Sequence, residues 1–290
     1  MRRRALIAFI LGLLALPAIS PAQAALPLVS GTLQKVPTIS RPAPVTAAPV
    51  TAAPVTTLGG RTCRLIGVPL AAPVGLAGCG GVRPGGLVEV PAGQCSFNFM
   101  FRDNENRRYM GTAGHCVLDG PAEKTWSDGI GPPAKVDGVV IGEFVYAVLN
   151  DLRDFSLIRL RDGVDASAEM CNFGGPTGLA QNSAGPVVLH HVGHGIGVGT
   201  LPARTGLATS MTDPDIVAAV LAATPGDSGS AVIDATGGAV GVLVALEVAT
   251  AGNGLLPGVG PVLITRIEPQ RAMAANALGV DLSLQTAPLR

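Results

Sequence analysis

Residues 224–232 read TPGDSGSAV: Ser228 stands between an aspartate and a glycine in a turn-forming run, with an apolar stretch directly behind it. A serine hydroxyl is a poor nucleophile until a base takes its proton. The imidazole that does so needs a carboxylate to hold its tautomer and stabilise its charge. Two other polar islands in this apolar chain supply those parts, His115 in MGTAGHCVLDG (110–120) and Asp154 in RDFSLIRL (153–160). The glycines matter equally, because acyl transfer needs backbone N–H groups aimed at a developing oxyanion in a turn free of side chains. Gly226 and Gly229 flank Ser228 accordingly.

Outward from these islands, the texture from Gly85 on is short runs of Val, Ile, Leu and Phe separated by Gly, Pro, Asn and Asp. Leu87–Val90, Ser96–Phe101, Val139–Val148, Phe155–Leu160, Val187–Val192, Ala231–Ile233 and Ala239–Leu246 are each strand-length and bounded by turn residues. No sustained 3.6-residue period interrupts them, so the pattern predicts an all-β domain of barrels or sandwiches. One helix is predicted near the end, where Pro269 opens PQRAMAANAL and Gly279 closes it.

The N-terminal part reads differently. Arg2, Arg3 and Arg4 precede an apolar run from Ala5 to Leu16, followed by Ala22-Gln23-Ala24. This predicts an export signal over residues 1–24, cleaved after Ala24. An uncleaved anchor is disfavoured, because the apolar run falls short of the roughly 20 residues a spanning helix needs. Residues 43–57 repeat APVTA, APVTA, APVTT, and regular proline makes this a semi-rigid extended spacer. Residues 25–84 are therefore a Pro/Thr/Ala-rich leader or stalk, a means of associating with the cell envelope, and residues 283–290 a C-terminal tail. Export places the chain outside the cell, where disulfides form, and five cysteines (63, 79, 95, 116, 171) are available.

Composition narrows the partners. The 290 residues carry 20 Lys+Arg against 20 Asp+Glu, so no nucleic-acid-binding face is implied. The apolar fraction of 48% is ample for a core, while 39 glycines and 24 prolines make the domain loop-rich.

TAGHC, DFSLIRL and GDSGS, in that order, resemble the signature blocks of the chymotrypsin-like (trypsin-fold) serine proteases of bacterial secreted type, over roughly residues 85–282. The resemblance implies two six-stranded antiparallel β-barrels with a cleft between them and a C-terminal helix. It makes His115 the general base and acid, Asp154 its orienting carboxylate and Ser228 the nucleophile, with the N–H groups of Gly226 and Ser228 as the oxyanion hole. It implies a peptide or protein substrate and no metal or cofactor. It pairs Cys95 with Cys116. For Cys171 it allows a partner in Cys63 or Cys79, with Cys63 to Cys79 equally allowed. Asp227 resembles the family aspartate that braces the oxyanion loop through an ion pair, to an arginine or to nothing in this chain. Asp151 is the rival to Asp154, but it falls on the turn before the apolar strand.

The chain also departs from the family pattern. Ala222, six residues before the nucleophile, takes the floor of the primary specificity pocket, so nothing acidic awaits Arg or Lys. Val244, Ala245 and Leu246 take the wall, with Leu where glycine leaves room in many relatives. Small apolar side chains at the cleavage site fit best. The histidines in LHHVGHGIGVG (189–199) include a zinc-like spacing, His190 and His194, but glycine at 193, 195, 197 and 199 argues against the helix such a site needs. A lipase elbow reads G-x-S-x-G, and here position 230 is Ser. The rival from another class is an exported pseudoenzyme of the same fold that acts as a binding module.

Overall fold

The structure is a computed structural model that describes residues 80–91, 93–128, 130–171, 173–195, 203–246 and 258–290, with Leu246 and residues 258–260 by backbone only. Short backbone pairings at 57–58 with 61–62, and at His194–Gly195 with Gly199–Thr200, are also described. The expected export signal, most of the leader, Cys63 and Cys79 lie outside the described residues.

The first half of the described chain forms strands β1 (Leu87–Val90), β2 (Gly93–Ser96), β3 (Met100–Arg102), β4 (Arg108–Thr112), β5 (Pro133–Val136), β6 (Val139–Leu149) and β7 (Asp154–Leu160). The antiparallel order runs β3-β4-β7-β6-β5-β1-β2. Residues 97–99 join β2 to β3 and stay hydrogen-bonded on both sides: Phe97 N–H donates to Gly86, and Asn98 N–H to Gly111. Residues 93–102 thus form one bent strand that closes a six-stranded barrel and leaves no free edge. Its interior takes the large side chains, among them the fully buried Phe97, Phe99, Phe101, Phe144 and Phe155.

The second half forms β8 (Val187–Val192), β9 (Arg204–Ala208), β10 (Ile216–Ala223), β11 (Ala231–Asp234), β12 (Gly238–Leu246) and β13 (Gly258–Arg266). Each pairs antiparallel with the next in the order β12-β11-β8-β9-β10-β13, and β13 pairs back onto β12, closing a second six-stranded barrel. This is the two-barrel chymotrypsin-like architecture implied by the motifs. Among the described residues its core contains no aromatic side chain: Leu189, Met211, Val217, Leu221, Val232, Leu243, Val262 and Ile264 fill it. β10 shows the barrel-wall period, with Val217, Ala219, Leu221 and Ala223 buried while Ala218 and Val220 face out.

After β13 comes α1 (Ile267–Leu278), which starts two residues before the predicted Pro269. Proline is tolerated there, since first-turn N–H groups have no acceptor within the helix. Gly279 terminates it in the left-handed region, as its position predicts. Residues 283–290, expected as a tail, belong to the fold: Ser283–Leu284 pair with β3, and Arg290 N–H donates to Phe173. At the other end the packed unit begins before Gly85, because Val82 is buried and its N–H donates to Asp165. Among the described residues, no helix is long and apolar enough to cross a membrane.

The wall period of β10 is open to a direct check. Leu221→Ala, at 0% exposure, should cost about 2–5 kcal/mol in urea unfolding. Val220→Ala, one residue away at 52% exposure, should stay within about 0.5 kcal/mol.

Candidate active site

β4 and β7 are antiparallel neighbours with Ser156 opposite Thr112, so the end of β4 and the start of β7 lie at the same rim of the first barrel. Three residues past β4, in a one-turn 3₁₀ helix (Gly114–Cys116), stands His115. Asp154 opens β7. Asp154 Oδ2 lies 2.6 Å from His115 Nδ1, and Oδ1 accepts the His115 backbone N–H at 2.9 Å. An ionised carboxylate only accepts, so this contact puts the imidazole proton on Nδ1 and leaves the Nε2 lone pair free to act as a base. Asp151 sits exposed on the preceding turn.

Ser228 lies on the turn between β10 and β11, and its backbone carbonyl accepts from Ser96 N–H at 2.8 Å. Gly229 has φ +89°, and a Cβ there would stand 2.3 Å from Thr112 Oγ1 and 2.8 Å from Ala113 N. The serine turn is thereby pressed against the residues that lead into His115, a distance of approach that only glycine permits. Among the described residues Ser228 Oγ makes no hydrogen bond to His115, whose ring and backbone N–H groups meet Asp154. Among the described residues the N–H groups of Gly226 and Ser228 donate to no backbone carbonyl outside the strands.

The turn is braced from below. Asp227 is fully buried, and its carboxylate takes both terminal nitrogens of Arg204, at 2.6 and 2.7 Å, together with the Thr224 N–H at 2.7 Å. Removing one partner of such a buried, bidentate pair leaves an uncompensated charge. Sequence motifs left the partner of Asp227 open between an arginine and nothing. Arg204 comes from β9, 23 residues upstream, and no local pattern marks it.

Ser96 ties the turn to the first barrel: its Oγ donates to the Gly226 carbonyl and accepts from His194 N–H, each at 2.8 Å. The neighbouring Cys95 forms a disulfide with Cys116, as expected, across a sequence separation of 21 residues. A loop of that size is worth about 3 kcal/mol in the chain-entropy account. Cys95, His115 and Cys116 bring ligand-type atoms within 4.8 Å of one another, but both sulfurs are committed to the disulfide, leaving one imidazole to face a metal. Cys171 is also disulfide-bonded.

Of the expected pocket residues, Ala222 is half-buried on β10. Val244 is buried on β12, where the pairing with β13 slips between Leu243 and Ala245. Ala245 follows it half-buried, and Leu246 is described by backbone alone. His190 and His191 alternate on β8 as strand residues. His190 meets Thr205 Oγ1 at 3.0 Å near the surface, and His191 is fully buried. His191 Nε2 donates to the Ala222 carbonyl at 2.7 Å, so Nδ1 accepts from the Ser230 hydroxyl at 3.1 Å. One neutral imidazole therefore links the expected pocket floor to the turn that bears Ser228.

No family model and no curated protein matches the chain. Among solved structures, it is similar to Thermobifida fusca Protease A at 19% identity, covering 70% of this chain and 99% of that one with a TM-score of 0.49. It is similar to the Cellulomonas bogoriensis chymotrypsin at 20% identity, covering 70% and 99% with a TM-score of 0.48. A Nocardiopsis protease shares 17% identity, covering 70% and 98% with a TM-score of 0.49.

The His191 contacts set a pH dependence of stability. Burial, with Arg204 nearby, pushes the His191 imidazole down to about 4 from an ordinary 6.5. Between those values the unfolded chain binds the extra proton, so stability is full above pH 6.5 and falls as pH drops towards 4. The loss is on the order of 3 kcal/mol. Burial lowers His190 and His194 as well, so His191→Gln should flatten, without abolishing, the slope of urea-unfolding free energy across this window.

Proposed function

We propose that this chain, built on the two-barrel fold of the chymotrypsin-like serine proteases, is an exported serine endopeptidase that hydrolyses peptide bonds through Ser228. The observation that carries this reading is the 2.6 Å contact of His115 Nδ1 with Asp154 Oδ2. It lies at the barrel rim against which Gly229 presses the serine turn.

Each group has a defined part in the proposed chemistry. His115 Nε2 takes the proton of Ser228 Oγ as that oxygen bonds to the peptide carbonyl carbon, and the Gly226 and Ser228 N–H groups receive the negative oxygen. The imidazolium, held by Asp154, then passes its proton to the departing amine, leaving an ester on Ser228. Water, deprotonated by the same imidazole, cleaves that ester and restores the serine. The support for small apolar side chains such as Ala or Val at the cleavage site is Ala222 at the floor position and Val244 and Ala245 along the wall. The support for export is the Arg-led apolar run of residues 1–16 and the Ala22-Gln23-Ala24 site. The leader would serve as the stalk to the cell envelope.

The test is mass spectrometry of the purified protein after exposure to a serine-directed phosphonate. Adduct on Ser228 in the wild type, none in Ser228→Ala, and hydrolysis of peptides with Ala or Val before the scissile bond in preference to Lys or Arg are expected. Ser228→Ala should lower kcat by several orders of magnitude. A wild type that takes no label and turns over no peptide would leave a binding module of the same fold.

A further inference from the structure

We infer that Gln270, on the C-terminal helix, is a positioning residue for the proposed reaction: its side-chain amide holds the backbone of Asp154 and thereby aims the carboxylate at His115. The inference rests on the reading of Asp154 as the carboxylate of a serine-protease triad.

Among the described residues, both oxygens of the Asp154 carboxylate accept from His115 alone. The carboxylate is thus held by His115 alone, through its ring and its backbone N–H, so its aim depends as well on what fixes the Asp154 main chain, which pairs with Leu149 of β6 and meets Gln270 of α1. The Asp154 N–H donates to Gln270 Oε1 at 3.0 Å. The same amide donates through Nε2 to Thr265 Oγ1 at 2.8 Å and to the Arg266 carbonyl at 3.2 Å. These three partners settle which end of the amide is oxygen, since the Asp154 N–H requires an acceptor and the other two groups present oxygen atoms. Gln270 is fully buried, where an amide is tolerated only when hydrogen-bonded.

The neighbouring residue is gripped from the same side. Arg153 Nε reaches Met273 Sδ of α1 at 3.3 Å, and Arg153 Nη2 pairs with Asp215 Oδ1 at 2.6 Å. Asp215 in turn accepts the Arg266 N–H through its backbone carbonyl. The end of the second barrel therefore clamps residues 153 and 154 of the first.

The test compares Gln270→Leu, Gln270→Glu and Thr265→Val with the wild type, in peptide hydrolysis across pH and in proton NMR. Gln270→Leu removes the acceptor, and kcat should fall about 10-fold to 100-fold. KM should stay within about twofold, because substrate-binding groups are untouched. The acid limb of kcat/KM should move to lower pH as the imidazolium loses its aligned carboxylate. Gln270→Glu keeps an acceptor oxygen for the Asp154 N–H but loses the donor to the Arg266 carbonyl, so its kcat should lie between those of Gln270→Leu and the wild type. The low-field resonance of the His115 Nδ1 proton should move upfield in Gln270→Leu. That readout stands even for a chain that hydrolyses nothing, which separates failure of this inference from failure of the protease reading. Wild-type kcat, pH profile and proton resonance in Gln270→Leu, with only a lower Tm, would overturn the inference. If that variant does not fold, Thr265→Val removes the shorter of the two bonds that anchor the Nε2 end of the amide, and an unchanged resonance and profile there would overturn it equally.

Discussion

The two barrels meet at Ser96, and the geometry of the site depends on that contact. Its N–H donates to the Ser228 carbonyl, its hydroxyl to the Gly226 carbonyl, and its own carbonyl accepts from Thr112 Oγ1, all at 2.8 Å. The residue before it carries the disulfide to Cys116. One dipeptide of the first barrel thus touches the histidine turn on one side and the serine turn on the other. With Ser96 fully buried, each of these bonds lies in a low-dielectric seam, where an unmade bond costs its full desolvation penalty. Displacement of either turn breaks several such bonds together.

Below the serine turn, charge is buried only where it is paired. Asp227 and Arg204 share two hydrogen bonds, and the neutral His191 beside them carries bonds to Ala222 and Ser230. A hydrophobic filler of the same volume would cost less to bury. It would not fix the orientation of four backbone segments, residues 193, 222, 224 and 227–230, with respect to one another. Gly193 sits within this network with no side chain because a Cβ there would stand 2.4 Å from Asp227 Oδ1.

Much of this fold is legible without coordinates. His115, Asp154, Ser228 and the glycines beside the serine were marked by short local patterns, and the turn chemistry around them is equally local. Strands such as Leu87–Val90 and Val187–Val192 stood out because β-branched residues sit between glycine and proline. β10 did not, since IVAAVLAA places alanine on both faces, and alanine carries no strand preference. Its alternation exists only once neighbouring strands bury one face. The limits of the packed unit are not legible either: Val82 and residues 283–290 are ordinary in sequence and gain their place through partners more than 80 residues away, Asp165, Arg102 and Phe173.

What a single residue and its immediate neighbours carry was therefore determined by the sequence alone: a serine between flanking glycines, a histidine followed by a cysteine, an aspartate heading an apolar strand. Support carried by residues distant in the chain was decided only by the tertiary structure. Arg204 became the counter-ion of Asp227, His191 the link from Ala222 to the serine turn, and Gln270 the hydrogen-bond partner of the Asp154 N–H. The physical reason is that a motif reports the geometry of a turn, which spans a few residues. A buried hydrogen bond can be satisfied by any polar group that the fold brings near, and nothing in the local sequence says which one that will be.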